Sequence, residues 1–196
     1  MAETEKTIDV DPGLSEYTGI VRKYSDRYHM DWPLVLAVMK QESQFDEDAV
    51  SRKGAYGLMQ IMPMTQSELV GKLGVTDAEA PRNNIRAGIY HLRTLFRAFA
   101  KAGKEDRMKL ALAAYNAGLK RIQAAREIAS YLGEDPNTWN AVKTTLPLLS
   151  PSYYTLHQDV WHQSKPPCGY FVGWRQTVTY VDNIVQYYDD YSLALK

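Results

Sequence analysis

The stretch Asp31-Trp32-Pro33-Leu34-Val35-Leu36-Ala37-Val38-Met39-Lys40-Gln41-Glu42-Ser43 decides how the rest of the chain is read. Asp31 is placed to cap free backbone amides, and a proline two residues later is tolerated in a first helical turn. A helix is therefore predicted through Leu34 to about Ser43. Glu42 follows Val38 by four residues and Val35 by seven, which puts its carboxyl on the stripe that those valines bury. Withdrawing a carboxylate from water favours its neutral form, the state a general acid needs near neutral pH. The plainer reading leaves Glu42 exposed at the helix end or paired with a cation such as Arg52 or Lys53.

Outward from this helix the apolar spacing stays helical. Tyr17, Ile20, Val21 and Tyr24 share one face, and Ile85, Ile89, Leu92, Phe96 and Phe99 share another. Leu119, Ile122, Ile128 and Leu132 mark a further amphipathic helix, and Val178, Val181, Ile184, Val185 and Tyr188 a last one. Helix starts are expected at Pro63, at Asn83 or Asn84 and near Pro136, with a stop at Gly133. Seven to nine helices follow, and no alternating strand stands out. From Pro147 to Gly173 the spacing breaks down among prolines, serines and aromatics, a segment too long for a plain connection. One domain is placed at residues 11–196, behind a flexible lead at 1–10.

Composition narrows the function classes. The 196 residues, 45% of them apolar, suffice for one buried core. Twenty-three basic residues balance twenty-three acidic ones, so no strong field pulls the molecule toward nucleic acid or an anionic membrane. No apolar run approaches the roughly 20 residues needed to cross a bilayer, so no stable membrane insertion is expected. The lead from Met1 to Pro12 has neither the basic region nor the apolar stretch of a secretory signal. Cys168 is the only cysteine, which excludes an internal disulfide. His29, His91, His157 and His162 lack zinc-ligand spacing, and no metal or cofactor is expected.

Two further segments carry chemistry. Ser51 and Gly54-Ala55 lead into Gly57-Leu58-Met59-Gln60-Ile61-Met62-Pro63, where glycine lets backbone approach a ligand closely. Gln60 offers a donor and an acceptor to the hydroxyl or acetamido groups of a sugar, and Met62 a soft surface for its ring. Ala114-Tyr115-Asn116-Ala117-Gly118 ends an apolar helix with an aromatic ring, an amide and a glycine stop. Each alone reads equally well as a turn or an ordinary helix terminus. Asp46, Glu47 and Asp48 follow the first helix in a polar stretch and read as a solvated turn. Trp161, Tyr170, Phe171 and Trp174 either stack on sugar faces or cover the core beneath a long loop.

Taken in order, Gln41-Glu42-Ser43, Gly57 to Pro63 and Ala114 to Gly118 resemble the soluble lytic transglycosylases with a goose-lysozyme-like catalytic domain. The likeness begins near Tyr17 and runs to Tyr187-Tyr188-Asp189, closest to the subgroup whose catalytic domain can follow a periplasmic solute-binding-like domain. It implies a mainly α, lysozyme-like helical domain with a substrate cleft that holds Glu42. It also implies peptidoglycan glycan strands as substrate, cut between N-acetylmuramic acid and N-acetylglucosamine to leave a 1,6-anhydro end. In such enzymes one glutamate serves as acid and then base, and here that residue is Glu42. Ser51, Gln60, Met62, Tyr115, Asn116 and Tyr180 fall on positions that orient the glutamate or hold the sugar. Gln176 stands where many relatives carry glutamate, so a negative charge is lost there. A periplasmic, envelope or secreted location follows from the substrate. A hydrolytic muramidase of the same fold and a noncatalytic peptidoglycan-binding module are the alternatives.

Overall fold

In the computed structural model, residues 12–74 and 80–195 are described, and the expected lead at 1–10 lies outside them. Nine α-helices account for most of these residues: α1 (Pro12–Tyr28), α2 (Trp32–Ser43), α3 (Pro63–Leu73), α4 (Pro81–Ala98), α5 (Lys104–Ala117), α6 (Leu119–Tyr131), α7 (Trp139–Thr145), α8 (Tyr154–Trp161) and α9 (Trp174–Ala194). Short 3₁₀ turns occupy Leu146–Leu149 and Pro151–Tyr153. The described residues form two compact units. One is the chain up to Arg93 together with the residues from Asn183 on, and the other is Thr94–Asp182.

The first unit is organised by α2, in which all seven residues from Pro33 to Met39 are buried. A helix buried on every side needs no amphipathic stripe, because each fully buried valine, leucine or methionine contributes roughly 1.5–3 kcal/mol. The α1 face of Tyr17, Val21, Tyr24 and Tyr28 is buried, and α1 packs on α2. Asp31 sits at the N-cap of α2, but its side chain makes no capping bond. Its carboxylate instead accepts the Tyr188 hydroxyl at 2.6 Å, tying the start of α2 to the end of α9. That bond pushes the Tyr188 pKa above its ordinary value, helped by burial.

The second unit stacks α6 against α5 and α7, with Leu110, Leu112, Ile122, Ile128 and Val142 fully buried. The predicted stop after Leu132 is present: Gly133 N–H donates to Ser130 O and Glu134 N–H to Ala129 O, which satisfies the last carbonyls of α6. The start expected near Pro136 falls at Thr138, whose hydroxyl accepts Ala141 N–H. The segment from Pro147 to Gly173 is less irregular than its spacing suggests, since it contains α8. His157 of α8 is fully buried and bonds Leu148 O at 2.7 Å, so one ring fastens the helix to the 3₁₀ turn before it.

Candidate active site

Glu42 lies in the last turn of α2, half-buried, where the helix emerges from the core. The chain then turns sharply: Gln44 and Phe45 both adopt positive φ, at 53° and 67°, and the Phe45 ring is buried as an anchor. Non-glycine residues pay for that conformation, so the exit is held by packing rather than by local preference. An open concavity of about 620 Å³ follows, lined by Glu42 with Gln41, Ser43, Asp46, Val50, Ser51 and Gln60 among others. Of the sequence-predicted residues, Glu42, Ser51 and Gln60 therefore share one hollow. Met62 is exposed just beyond Ile61 and does not line it.

Ser51 and Gln60 turn out to be bound into their own loop. The Ser51 hydroxyl accepts Ala55 N–H at 2.9 Å and closes the 51–55 turn. The Gln60 amide nitrogen donates to Ala49 O at 2.8 Å and to Gly57 O at 2.9 Å. Both amide hydrogens are committed there, so a sugar would meet the Gln60 oxygen alone. Gln60 itself stands at φ 45°, a strained backbone position fixed by those two bonds. Two isolated antiparallel bridges, Val50 to Tyr56 and Tyr56 to Ile61, complete the loop.

The acids after α2 behave as the sequence suggested. Asp46, Glu47 and Asp48 are exposed, and Asp46 accepts Asp48 N–H at 3.0 Å in a local turn. Glu47 accepts the Tyr17 hydroxyl at 2.9 Å. Burial, with that bond beside it, drives the Tyr17 pKa far above its ordinary value.

Three residues of this unit escaped the sequence reading as site-builders. Ser43 donates to Leu58 O at 3.0 Å, joining the residue after Glu42 to the following loop. Asn183 donates to Gln41 Oε1 at 3.1 Å on the other side of Glu42. Asn84, expected as a helix start, instead lies inside α4, 3% exposed. The signal for it was a polar residue directly before Ile85, on the edge of a buried stripe.

In the second unit, Tyr115 is half-buried and Asn116 exposed at the end of α5. Asn116 Oδ1 accepts the hydroxyl of buried Thr177 at 2.8 Å. Gln176, beside Thr177, is exposed, and Tyr180 one turn later is buried.

Known proteins resemble this chain in sequence and in fold. The transglycosylase SLT domain family matches residues 19–137. Proteins named membrane-bound lytic murein transglycosylase F are similar: that of Desulfosudis oleivorans is 36% identical over 90% of this chain and 36% of its own length. That of Marinobacter nauticus is 35% identical over 92% of this chain and 34% of its own. The chain thus spans about a third of the length of these relatives. Among solved structures, an inactive mutant of the lytic transglycosylase Slt from Pseudomonas aeruginosa superposes with a TM-score of 0.65 at 25% identity, covering 94% of this chain and 25% of that one. The 70 kDa soluble lytic transglycosylase of Escherichia coli, at 22% identity and a TM-score of 0.64 over 91% of this chain and 24% of its own, shares the fold. By the extent of the family match, this chain belongs to the transglycosylase SLT domain family.

Proposed function

We propose that this domain cleaves the β-1,4 bond between N-acetylmuramic acid and N-acetylglucosamine in peptidoglycan as a lytic transglycosylase, with Glu42 as its acid and base. The observation that carries the reading is the half-buried Glu42 at the mouth of a buried helix, opening into a sugar-sized concavity. The protonated carboxyl gives its proton to the glycosidic oxygen as the C1–O bond breaks. The substrate's acetamido oxygen stabilises the cationic C1 in place of a second carboxylate. The Glu42 carboxylate then takes the 6-hydroxyl proton while O6 bonds C1, which closes the anhydro ring, restores the acid and consumes no water.

Gln60 through its oxygen, Met62 and Ser51 are proposed substrate contacts in the unit that holds Glu42, and Tyr115, Asn116, Gln176 and Tyr180 are proposed contacts in the second unit. Family membership and the named relatives support this activity, and the Pseudomonas Slt structure is of an inactive mutant in which one glutamate became glutamine. The proposed place of action is the cell envelope, where peptidoglycan lies. Among the described residues no helix is long and apolar enough to cross a membrane.

One observation favours the hydrolytic alternative: Asp46 also lines the concavity and could activate a water. Mass spectrometry of fragments released from purified peptidoglycan decides. Anhydro-muramic ends, reduced on the order of 10³-fold in Glu42→Gln, support the lytic route. Reducing ends one water heavier, lost in Asp46→Asn, would replace it with hydrolysis. Binding without released fragments would leave a noncatalytic module.

A further inference from the structure

The loop that faces Glu42 has no helix or regular strand, yet one side chain of α4, Asn84, holds its backbone at two points. Asn84 Oδ1 accepts Met59 N–H at 2.8 Å, and Asn84 Nδ2 donates to Tyr56 O at 2.9 Å. These partners fix the orientation of the amide, because an N–H needs the oxygen and a carbonyl needs the NH₂. The loop presses onto α4 so closely that a Cβ added at Gly57 would stand 2.7 Å from Asn84 Nδ2. One helical turn on, a Cβ at Gly88 would stand 2.5 Å from the Met59 Cβ. Asn84 and Gly88 thus form a template of i, i+4 spacing on which Tyr56–Met59 is laid. From there the loop reaches α2, since Leu58 O receives the Ser43 hydroxyl, and it holds Gln60, whose amide donates to Gly57 O.

We infer that Asn84 is a positioning residue for the proposed chemistry of Glu42, acting through the Tyr56–Gln60 backbone and Ser43 without touching substrate. The inference rests on the reading of Glu42 given above. Displacing a reacting group by about 1 Å can cost on the order of 100-fold in rate, so a shift of this loop shows in kcat more than in KM.

The decisive variant is Asn84→Asp, nearly equal in shape. When protonated, the introduced carboxyl donates to Tyr56 O and accepts from Met59 N–H, as the amide does. When ionised it can only accept, and it faces the Tyr56 carbonyl with a negative charge. Burial raises the pKa of such a carboxyl, so the defect is small at low pH and grows as pH rises.

The experiment measures kcat and KM on a soluble peptidoglycan oligosaccharide from about pH 5 to about pH 8, each variant as a ratio to wild type at the same pH. For Asn84→Asp, kcat is expected within about threefold of wild type at the acid end and down on the order of 10- to 100-fold at the other, with KM little changed. Asn84→Ala is expected to lose activity equally at both. A pH-independent ratio for Asn84→Asp, or full activity at pH 8, overturns the inference. Should Asn84→Asp fail to fold at pH 8, Ser43→Ala tests the same path from the helix side, and an unchanged kcat there overturns it. Protection of the Met59 amide, taken as its exchange relative to the intrinsic rate at each pH and followed in the same samples, is expected to fall with rising pH only in Asn84→Asp. If wild type releases no anhydro fragments, the functional reading fails while the exchange result still judges the clamp.

Discussion

Two long stretches of this chain, residues 44–62 and 146–173, are ordered by different means. Residues 44–62 hold no helix at all, and beside their backbone bridges and the buried Phe45 ring, polar side chains meet their backbone groups. Ser51 takes Ala55, Gln60 takes Ala49 and Gly57, and Asn84 takes Tyr56 and Met59. Residues 146–173 build two 3₁₀ turns and α8 and fasten them with the His157 ring, packed between Trp161 and Tyr170. Directional bonds tolerate little displacement, whereas ring packing and local helical turns accommodate more. The stretch beside Glu42 is the one richer in bonds from side chains to backbone, as a region that must hold atoms to fractions of an ångström should be.

The largest expected effect tests that difference with one substitution made twice. Gly57 and Gly169 share the left-handed backbone, at φ 74° and 76°. A methyl group at Gly169 meets nothing within 4 Å, while at Gly57 it strikes the Asn84 amide. Gly169→Ala is therefore expected to cost only the conformational penalty, about 1–2 kcal/mol. Gly57→Ala adds overpacking against a side chain that cannot yield without breaking two bonds, for roughly 3–4 kcal/mol in all. Urea unfolding followed by circular dichroism measures both, and equal losses would show that the two stretches are alike in stiffness.

The same contrast explains what the sequence made legible. The run from Asp31 to Ser43 announced α2 because apolar residues and a first-turn proline act locally, and the end expected about Ser43 falls there. The first two motifs brought out Glu42 and Gln60, and the resemblance they carry brought out Ser51; these three share the concavity. What Gln60 does there was not legible: a glutamine at positive φ has no sequence signature, and its bonds lead to carbonyls fixed by the fold. Asn84 was read as a helix start because asparagine commonly caps, yet burial turned its amide toward a loop 25 and 28 residues away. Asp31 misled in the same way, since the Tyr188 hydroxyl, 157 residues away, outcompetes the local cap. Prolines and serines hid α8 inside the late segment, where tertiary burial of His157 overrides weak local preference.

A smaller effect is expected at that histidine. His157→Phe keeps a ring between Trp161 and Tyr170 but leaves Leu148 O without the imidazole. The cost is that of one unmade bond to a half-buried carbonyl, about 1–2 kcal/mol. Amide exchange in α8 would report it, and protection there should fall before protection in α6 does. Simultaneous loss across α6 and α8 would mean that the ring holds the whole second unit rather than its late segment alone.

The smallest effect belongs to Tyr17, whose hydroxyl steadies Glu47 at the edge of the 44–62 stretch. Tyr17→Phe removes one hydrogen bond to an exposed carboxylate, so near neutral pH the loss is expected to stay at about 1 kcal/mol or below. The pH dependence is more telling. Burial and the Glu47 carboxylate raise the folded-state pKa of Tyr17 above its ordinary value near 10. Up to that pH the tyrosine is protonated in both states and its contribution is intact. Above it the unfolded chain releases the proton while the native protein retains it, so the native state binds more protons and stability falls as pH rises. Wild type should therefore lose stability more steeply than Tyr17→Phe above about pH 10, and the two curves should converge. Parallel curves would mean that the Tyr17 hydroxyl ionises as easily in the folded protein as in the unfolded chain, and that the Tyr17–Glu47 bond does nothing to hold the stretch beside Glu42.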